Sequence, residues 1–590
     1  MKLITFLILL TFLASCNNNK STDTPKPNVI LIMTDDQGYG DLGYHGNPDI
    51  RTPEIDKLAS SSIRFTNFYV CPVCAPTRAS LMTGRYHLRT GIYDTYNGGA
   101  TMATEEITIA EILRDNGYRT GIFGKWHLGD NYPFRPQDQG FTKTLVHPSG
   151  GMGQVGDVYN YFEFDSSYFD PVLFEDGKPV EKKGYCSDVF TNGAINFIHK
   201  NKDNPFFVYL SFNAPHTPLQ VPEEYYKEYK DLVFDTSRYK IKGYPIQGMN
   251  EFHKESARKV YGMVSNIDDN LKHLFSELKE LGIYKNSLII FLTDNGPQQI
   301  RYTGGLRGRK GMVYEGGIRV PFFIHYPFNS SSLNEEIETP AAHIDILPTI
   351  LDICNINLPD ANLDGKSLLP VIKGKEPSWK DRPLFFHWQR GMPEPYRNIA
   401  VRKGDYKLVG HIPANANPED FELFNIREDP FEQNNIVENN PSIAMELKNN
   451  FDTYYNEIIH SSNLKPLGAV IGSQEEDPVI LNRNDAEGPP DIWAQDNLYA
   501  FWDISIVKEG NYSISFIFQN TLPGEGNLVM KAGPVQRTMS ITDISKKTIT
   551  MKNVYLIKGD FIFESWFQYK REQILPFYIE IKKNEEISSN

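Results

Sequence analysis

Five short runs of apolar, β-branched and aromatic residues, at 29–34, 119–124, 206–212, 287–293 and 319–326, constrain this chain more than any other feature. A run that stays apolar on successive positions has no face for water, so it reads as a strand buried on both sides, the pattern of a parallel sheet. Helical patterns lie between them. Residues 109–116 follow a capping box made by Thr108 and Glu111. Residues 257–281 place apolar side chains three and four apart until Gly282 stops the repeat. Strands alternating with helices predict an open α/β sheet covered on both faces, and such sheets bind ligands beyond the carboxyl ends of their strands. Four of the runs end in polar clusters: Asp35-Asp36-Gln37-Gly38, Lys125-Trp126-His127, Asn213-Ala214-Pro215-His216 and Asp294-Asn295-Gly296. Far apart in sequence, these clusters are predicted to meet on one rim.

The sheet domain is predicted over 28–374. A smaller α+β unit over 375–463 carries strand-like runs at 384–388 and 399–409, the segment 422–435 and a helix at 441–459. From about 464 the texture changes to short alternating strands, among them 500–506, 512–518, 548–555 and 560–569, which predict an appended β-sandwich over 464–590. At the other end, Met1-Lys2 precedes an apolar run over 3–14 that is too short to span a bilayer. With Leu13-Ala14-Ser15-Cys16 it resembles a bacterial lipoprotein signal over 1–15. That resemblance implies lipidation of Cys16, a tether over 16–27, and a membrane-anchored protein of the periplasm or cell surface; a plain secretory signal is the alternative. Of the other cysteines, Cys71, Cys74, Cys186 and Cys354, the first two form a lone C-x-x-C, and four are too few for a disulfide scaffold in a chain of 590 residues. A formal net charge of -14 argues against a nucleic-acid partner and means that any polyanionic ligand needs a local basic pocket.

The stretch Cys74-Ala75-Pro76-Thr77-Arg78, continuing to Thr83-Gly84-Arg85, has its own local logic. Pro76 suits the first turn of a helix and Gly84 its end, which puts Cys74 at a helix N-terminus, a place that favours anions. The stretch resembles the activation motif of the formylglycine-dependent sulfatases, type I sulfatases of the alkaline phosphatase superfamily, with Thr77 where serine is commoner. The match extends over roughly 28–435 and includes Lys310-Gly311, Glu315-Gly316-Gly317, Arg319 and Pro321.

The resemblance implies an alkaline-phosphatase-like α/β fold with a large, mostly parallel sheet, the smaller α+β subdomain, and the β-sandwich outside the match. It implies that a sulfatase-maturation enzyme oxidises Cys74 to 3-oxoalanine (formylglycine), and that Asp35, Asp36, Asp294 and Asn295, with the modified residue 74, hold Ca2+, in preference to Mg2+. It also assigns roles. The hydrated aldehyde attacks sulfur in line, Asp36 or its neighbour takes the proton it loses, Arg78 holds the modified residue, and Lys125 bridges it to the sulfate. His127 takes a proton from the second hydroxyl, His216 protonates the leaving sugar oxygen, and Lys310 neutralises sulfate charge. Glu315 and Arg319 are read as structural. His147, His387, Trp388, Arg390 and Arg397 are candidates for a sugar pocket. The implied substrate is a sulfated carbohydrate of the kind degraded by lipoprotein sulfatases of Bacteroidota, with ulvan preferred over carrageenan and glycosaminoglycans. A related phosphoesterase and a non-catalytic glycan-binding lipoprotein are the competing readings, and the sandwich either binds glycan or shields the catalytic domain.

Overall fold

The computed structural model describes residues 26–163, 165–239, 249–325, 335–357, 362–412 and 414–585. Cys16, the signal and all but the last two residues of the tether lie outside them. The core is a ten-stranded sheet. Its order is Glu336–Ile337, Ile63–Phe65, Phe322–His325, Ser287–Thr293, Asn28–Thr34, Phe206–Ser211, Arg119–Lys125, Lys143–His147, Val172–Glu175 and Lys178–Glu181. The five strands from Ser287–Thr293 to Lys143–His147 run parallel. On one margin Phe322–His325 is antiparallel to both its neighbours while Glu336–Ile337 pairs parallel with Ile63–Phe65, and on the other Val172–Glu175 and Lys178–Glu181 pair antiparallel.

One sequence expectation is corrected here. The run at 319–326 is antiparallel to Ser287–Thr293, not parallel. Continuous apolarity reports burial on two faces and carries no information on direction. Here the chain reverses through the one-turn helix Glu315–Ile318 before it re-enters the sheet.

All seven residues of Asn28–Thr34 are buried, and their side chains alternate between two cores. Val29, Leu31 and Met33 join the core under the helices Cys74–Thr83, Ile109–Asp115 and Ile346–Ile353, while Ile30 and Ile32 join the core under Cys186–Asn201 and Glu251–Glu280. The helix Ile109–Asp115 opens with the predicted capping box, Thr108 Oγ1 accepting from Glu111 N–H while Glu111 accepts from Thr108 N–H. Among the described residues no helix is long and apolar enough to cross a membrane.

A four-stranded antiparallel sheet, Leu384–His387, Arg397–Lys403, Tyr406–His411 and Glu422–Asn425, packs on the helix Pro441–Ile458. The C-terminal region forms two facing sheets of six and four strands around one apolar core. This sandwich is tied to the ten-stranded sheet's domain. Asn131 Nδ2 donates to Ile480 O at 2.7 Å, Tyr132 N–H to Glu476 Oε2 at 2.8 Å and Asn97 N–H to Asn484 O at 2.7 Å.

Candidate active site

The clusters at 35–36, 125–127, 213–216 and 294–295 do meet at the carboxyl end of the parallel strands. Asp35, Asp36, Asp294 and Asn295 are each 0% exposed, directly after Asn28–Thr34 and Ser287–Thr293. Cys74 opens the helix Cys74–Thr83, all ten residues of which are buried, and Gly84 ends it in the left-handed region at φ 68° with its N–H on Ser80 O. Cys71 and Cys74 are free thiols, so they do not pair with each other. Cys71 Sγ instead lies 3.4 Å from His343 Nε2.

Three buried carboxylates face three cations. Arg78 donates to Asp294 Oδ2 at 2.8 Å, to Asp35 Oδ2 at 3.2 Å and to Ser211 Oγ at 2.5 Å. Lys125 Nζ is 2.5 Å from Asp35 Oδ2, and Lys310 Nζ is 2.7 Å from Asp36 Oδ1. Burial pushes the Asp35 carboxyl up, but Lys125, His216, Arg78 and Lys310 outweigh it and hold Asp35 well below the usual carboxylate range. Asp294 goes the other way, to about 6, through burial and the Asp35 charge beside it. Burial also raises the Cys74 thiol, with Lys125 and Lys310 opposing.

The donor set fits a hard divalent cation. Asp35 Oδ1, Asp36 Oδ2 and Asn295 Oδ1 are buried with no hydrogen-bond partner. Unpaired buried oxygens of this kind are costly unless something positive satisfies them. Ligand atoms of Asp35, Asp36 and His216 lie within 4.8 Å of one another. His216 was not among the expected ligands. Its Nδ1 lies 2.7 Å from Thr217 O, an acceptor only, so the proton sits on Nδ1 and Nε2 presents a lone pair 3.8 Å from Asp36 Oδ2. Burial first, then Lys310, lowers its pKa to about 4.

The strand Arg119–Lys125 ends before His127, which takes φ 61° and so reaches the site from a turn, not from extended backbone. Its Nε2 donates to Thr95 O at 3.0 Å, which leaves Nδ1 as a buried lone pair without a partner. Burial and then Lys125 keep this imidazole neutral, well below its ordinary pKa.

Several contributors carry no local sequence signal. Asp36 is also held in the left-handed region, at φ 59°, a conformation that costs a non-glycine residue on the order of 1–3 kcal/mol. Arg301 holds it there by donating to Asp36 O at 2.6 Å while pairing with Asp41, which accepts from Gly38 N–H at 2.7 Å. Gly124 permits the close approach beside Ser211: a Cβ there would lie 1.7 Å from Ser211 O.

Cys74, His127, His216 and Lys310 line one cavity of about 810 Å³ together with Trp388 and Arg390. Arg390 stacks between Tyr96 and Trp388, its guanidinium 4.6 and 5.1 Å from their centroids, and pairs with Asp94 at 2.9 Å. The other sugar-pocket candidates do not line it. His147 is buried against Asp157 and Asn213, His387 is buried with Nε2 on Glu394 O, and Arg397 pairs with Glu394 at the surface. Apolar or charged character alone did not separate cavity wall from packing. Glu315 and Arg319 take structural contacts, with Lys407 Nζ and Thr66 O respectively.

The family model "Sulfatase" matches residues 27–356, and "N-sulphoglucosamine sulphohydrolase, C-terminal" matches 308–457. The chain is 32% identical to arylsulfatase A of Homo sapiens over 412 residues, covering 65% of this chain and 74% of the relative. It is 28% identical to an ulvan-active sulfatase of Formosa agariphila over 480 residues, 78% and 86% of the two chains. Among solved structures, Ps i-CgsB in complex with k-i-k-neocarrahexaose shares the fold at a TM-score of 0.62 and 30% identity, over 75% of this chain and 94% of that one. BT4656 in complex with D-glucosamine-2-N,6-O-disulfate shares it at 0.61 and 21%, over 75% and 100%.

Proposed function

The chain belongs to the sulfatase family and is a sulfuric ester hydrolase, and we propose that it removes sulfate from a sulfated polysaccharide or its oligosaccharides through a formylglycine made from Cys74. The observation that carries this reading is the placement of Cys74 at a buried helix N-terminus, inside a cavity it shares with Lys310, His127 and His216. Ulvan is the preferred substrate, supported by the likeness to the ulvan-active sulfatase. Carrageenan is the second reading, favoured by the likeness to the structure that holds a neocarrahexaose. Lipid anchoring through Cys16 is supported by Leu13-Ala14-Ser15-Cys16.

A hard divalent cation, calcium ahead of magnesium, would be held by Asp35, Asp36, Asp294 and Asn295, where it would polarise the sulfate and lower the pKa of a hydroxyl at position 74. The aldehyde hydrate supplies two hydroxyls: one gives its proton to Asp36 or its neighbour and bonds sulfur as the sugar oxygen leaves, and the other, losing its proton, re-forms the aldehyde carbonyl and expels sulfate. Arg78, fixed by Asp35, Asp294 and Ser211, sets the position of the helix N-terminus. Lys125 and Lys310 present ammonium groups to the sulfate oxygens. His216 Nε2 delivers a proton to the departing sugar oxygen, and the free His127 Nδ1 accepts one from the hydroxyl that remains.

The test is sulfate release from ulvan, carrageenan and glycosaminoglycan oligosaccharides by protein co-expressed with a maturation enzyme, beside a Cys74→Ala twin, with mass spectrometry of the peptide containing position 74. Release that requires both Cys74 and its conversion to the aldehyde supports the reading. A thiol that persists at position 74 in an active enzyme refutes it.

A further inference from the structure

The sulfatase core does not close the catalytic cavity alone. Asn484, Trp493 and Ala494 form part of its wall, and all three belong to the C-terminal sandwich, beyond both family matches. The segment that carries them is fixed from two sides. From the core, Asn97 holds it through Asn484 O at 2.7 Å and Gly488 O at 3.1 Å, and a Cβ on Gly156 would lie 3.0 Å from Asn484 Cβ. From the sandwich, Arg483 donates to Pro576 O at 3.0 Å and Leu575 O at 2.8 Å. Glu487 and Phe501 exchange backbone hydrogen bonds of 2.8 and 3.0 Å.

Trp493 ends the short 3₁₀ turn Pro490–Trp493. Its neighbour Ile492 is 0% exposed in the sandwich core, so the turn cannot swing without unseating an apolar anchor. Trp493 itself is only half-buried, and among the described residues no aromatic ring or cation stacks on it. A rigid indole left facing a polar cavity loses solvation benefit until something with an apolar face covers it, and the C–H face of a sugar ring is such a surface. Elsewhere on the same wall Arg309 is exposed and Arg390 presents its guanidinium beside Trp388. At about 810 Å³ the cavity lies toward the upper end of small-molecule sites, roomy for a single sulfated sugar.

We propose that Trp493 is a specificity-determining platform, supplied by the appended sandwich, for a sugar ring neighbouring the one that loses its sulfate. The sandwich thereby completes the substrate site. This rests on the sulfated-glycan reading above.

The experiment measures calorimetric affinity of ulvan, carrageenan and heparin hexasaccharides for full-length Cys74→Ala protein with Trp493, Trp493→Ala or Trp493→Phe, and the ratio of kcat/KM on hexasaccharide to that on a sulfated monosaccharide for the active counterparts. Trp493→Ala should weaken hexasaccharide binding about fivefold, with the loss in KM and not in kcat, and Trp493→Phe should restore most of it. The lowered ratio is a readout that a merely structural role would not move. Hexasaccharide affinity indifferent to residue 493 overturns the platform and leaves the glycan reading intact. No binding of any hexasaccharide, by a protein whose parent still turns over aryl sulfates through Cys74, overturns the glycan reading and the platform with it.

Discussion

Replacing His216 by alanine tests whether proton delivery to the leaving group has been placed on the right atom. The Nδ1 proton is fixed on Thr217 O, so only Nε2 can carry a transferable proton, and the imidazole sits at a pKa of about 4. At pH 7 that is about three units of deficit, so protonating Nε2 in the free enzyme costs about 4 kcal/mol. A sulfate monoester brings one negative charge. At about 4 Å and an effective dielectric of about 20 this returns roughly 4 kcal/mol, so the acid form is gained with the substrate. A positioned acid contributes about 10²–10⁴ in rate, so kcat/KM on a sugar sulfate should fall by that factor. An aryl sulfate whose phenol leaves without help should lose less than about tenfold. The assay is log kcat/KM against leaving-group pKa for a series of aryl sulfates and a sugar sulfate, where the variant's line should be the steeper. Parallel lines would refute the assignment. So would calcium loss in His216→Ala equal to that in Asp36→Asn, because His216 would then act as a ligand of the cluster it shares with Asp35 and Asp36.

Two further outcomes follow from the electrostatics. Removing calcium with a chelator should lower the thermal midpoint of the wild type by several degrees while leaving Asp36→Asn almost unmoved, since the buried Asp35 Oδ1, Asp36 Oδ2 and Asn295 Oδ1 lose their counter-charge only where they had one; an equal shift in both, read by calorimetry, would discard this ligand set. At the sandwich junction, burial and then Asp485 raise Asp130 well above its ordinary pKa, while burial takes Asp485 to about 6 and Glu476 to about 7. Carboxyls raised in the folded state stabilise it below their unfolded pKa near 4, and that contribution is lost as pH rises through 6 and 7. Buried His343 and His387, held to about 3, push total stability the opposite way below pH 6.5, so the difference between wild type and Asp485→Asn is the clean readout. The advantage of the wild type over the variant should shrink by on the order of 2 kcal/mol between pH 5 and 8, and a flat difference would reject the junction account.

Sequence made the sheet and the reacting groups legible for different reasons. Ser287–Thr293 is legible as a strand because it is apolar without a break from Leu288 to Leu292 and stops at Asp294. Lys143–His147, the last strand of the parallel block, carries no such signal, because Lys143, Thr144 and His147 break the apolar run. The run at 399–409 looked like one strand and is a hairpin, Arg397–Lys403 and Tyr406–His411, turned at Gly404 with φ 54°. In the site, Asp35, Asp36, Lys125, His216 and Asp294 announced themselves as polar residues at strand ends. Arg301 did not, since its partner Asp41 is 260 positions away and neither lies in a motif. Trp493 was invisible for the same reason, because its meaning depends on a contact between domains that no local pattern encodes.

The place of Asn28–Thr34 in the sheet has a consequence in time. This first strand ends up between Phe206–Ser211 and Ser287–Thr293, so its two edges must wait for strands that begin 172 and 253 residues after Thr34. At about 5–20 residues per second, completing both neighbours takes on the order of 10–50 s after the first strand is made. Throughout that interval the segment Cys74–Thr83, wholly enclosed in the finished molecule, has no sheet to be enclosed by. On the proposed oxidation of Cys74, an enzyme acting on that side chain would have its opportunity then and would lose it once the helix is buried. The aldehyde sought at position 74 should therefore fail to form when the maturation enzyme is supplied only to folded protein.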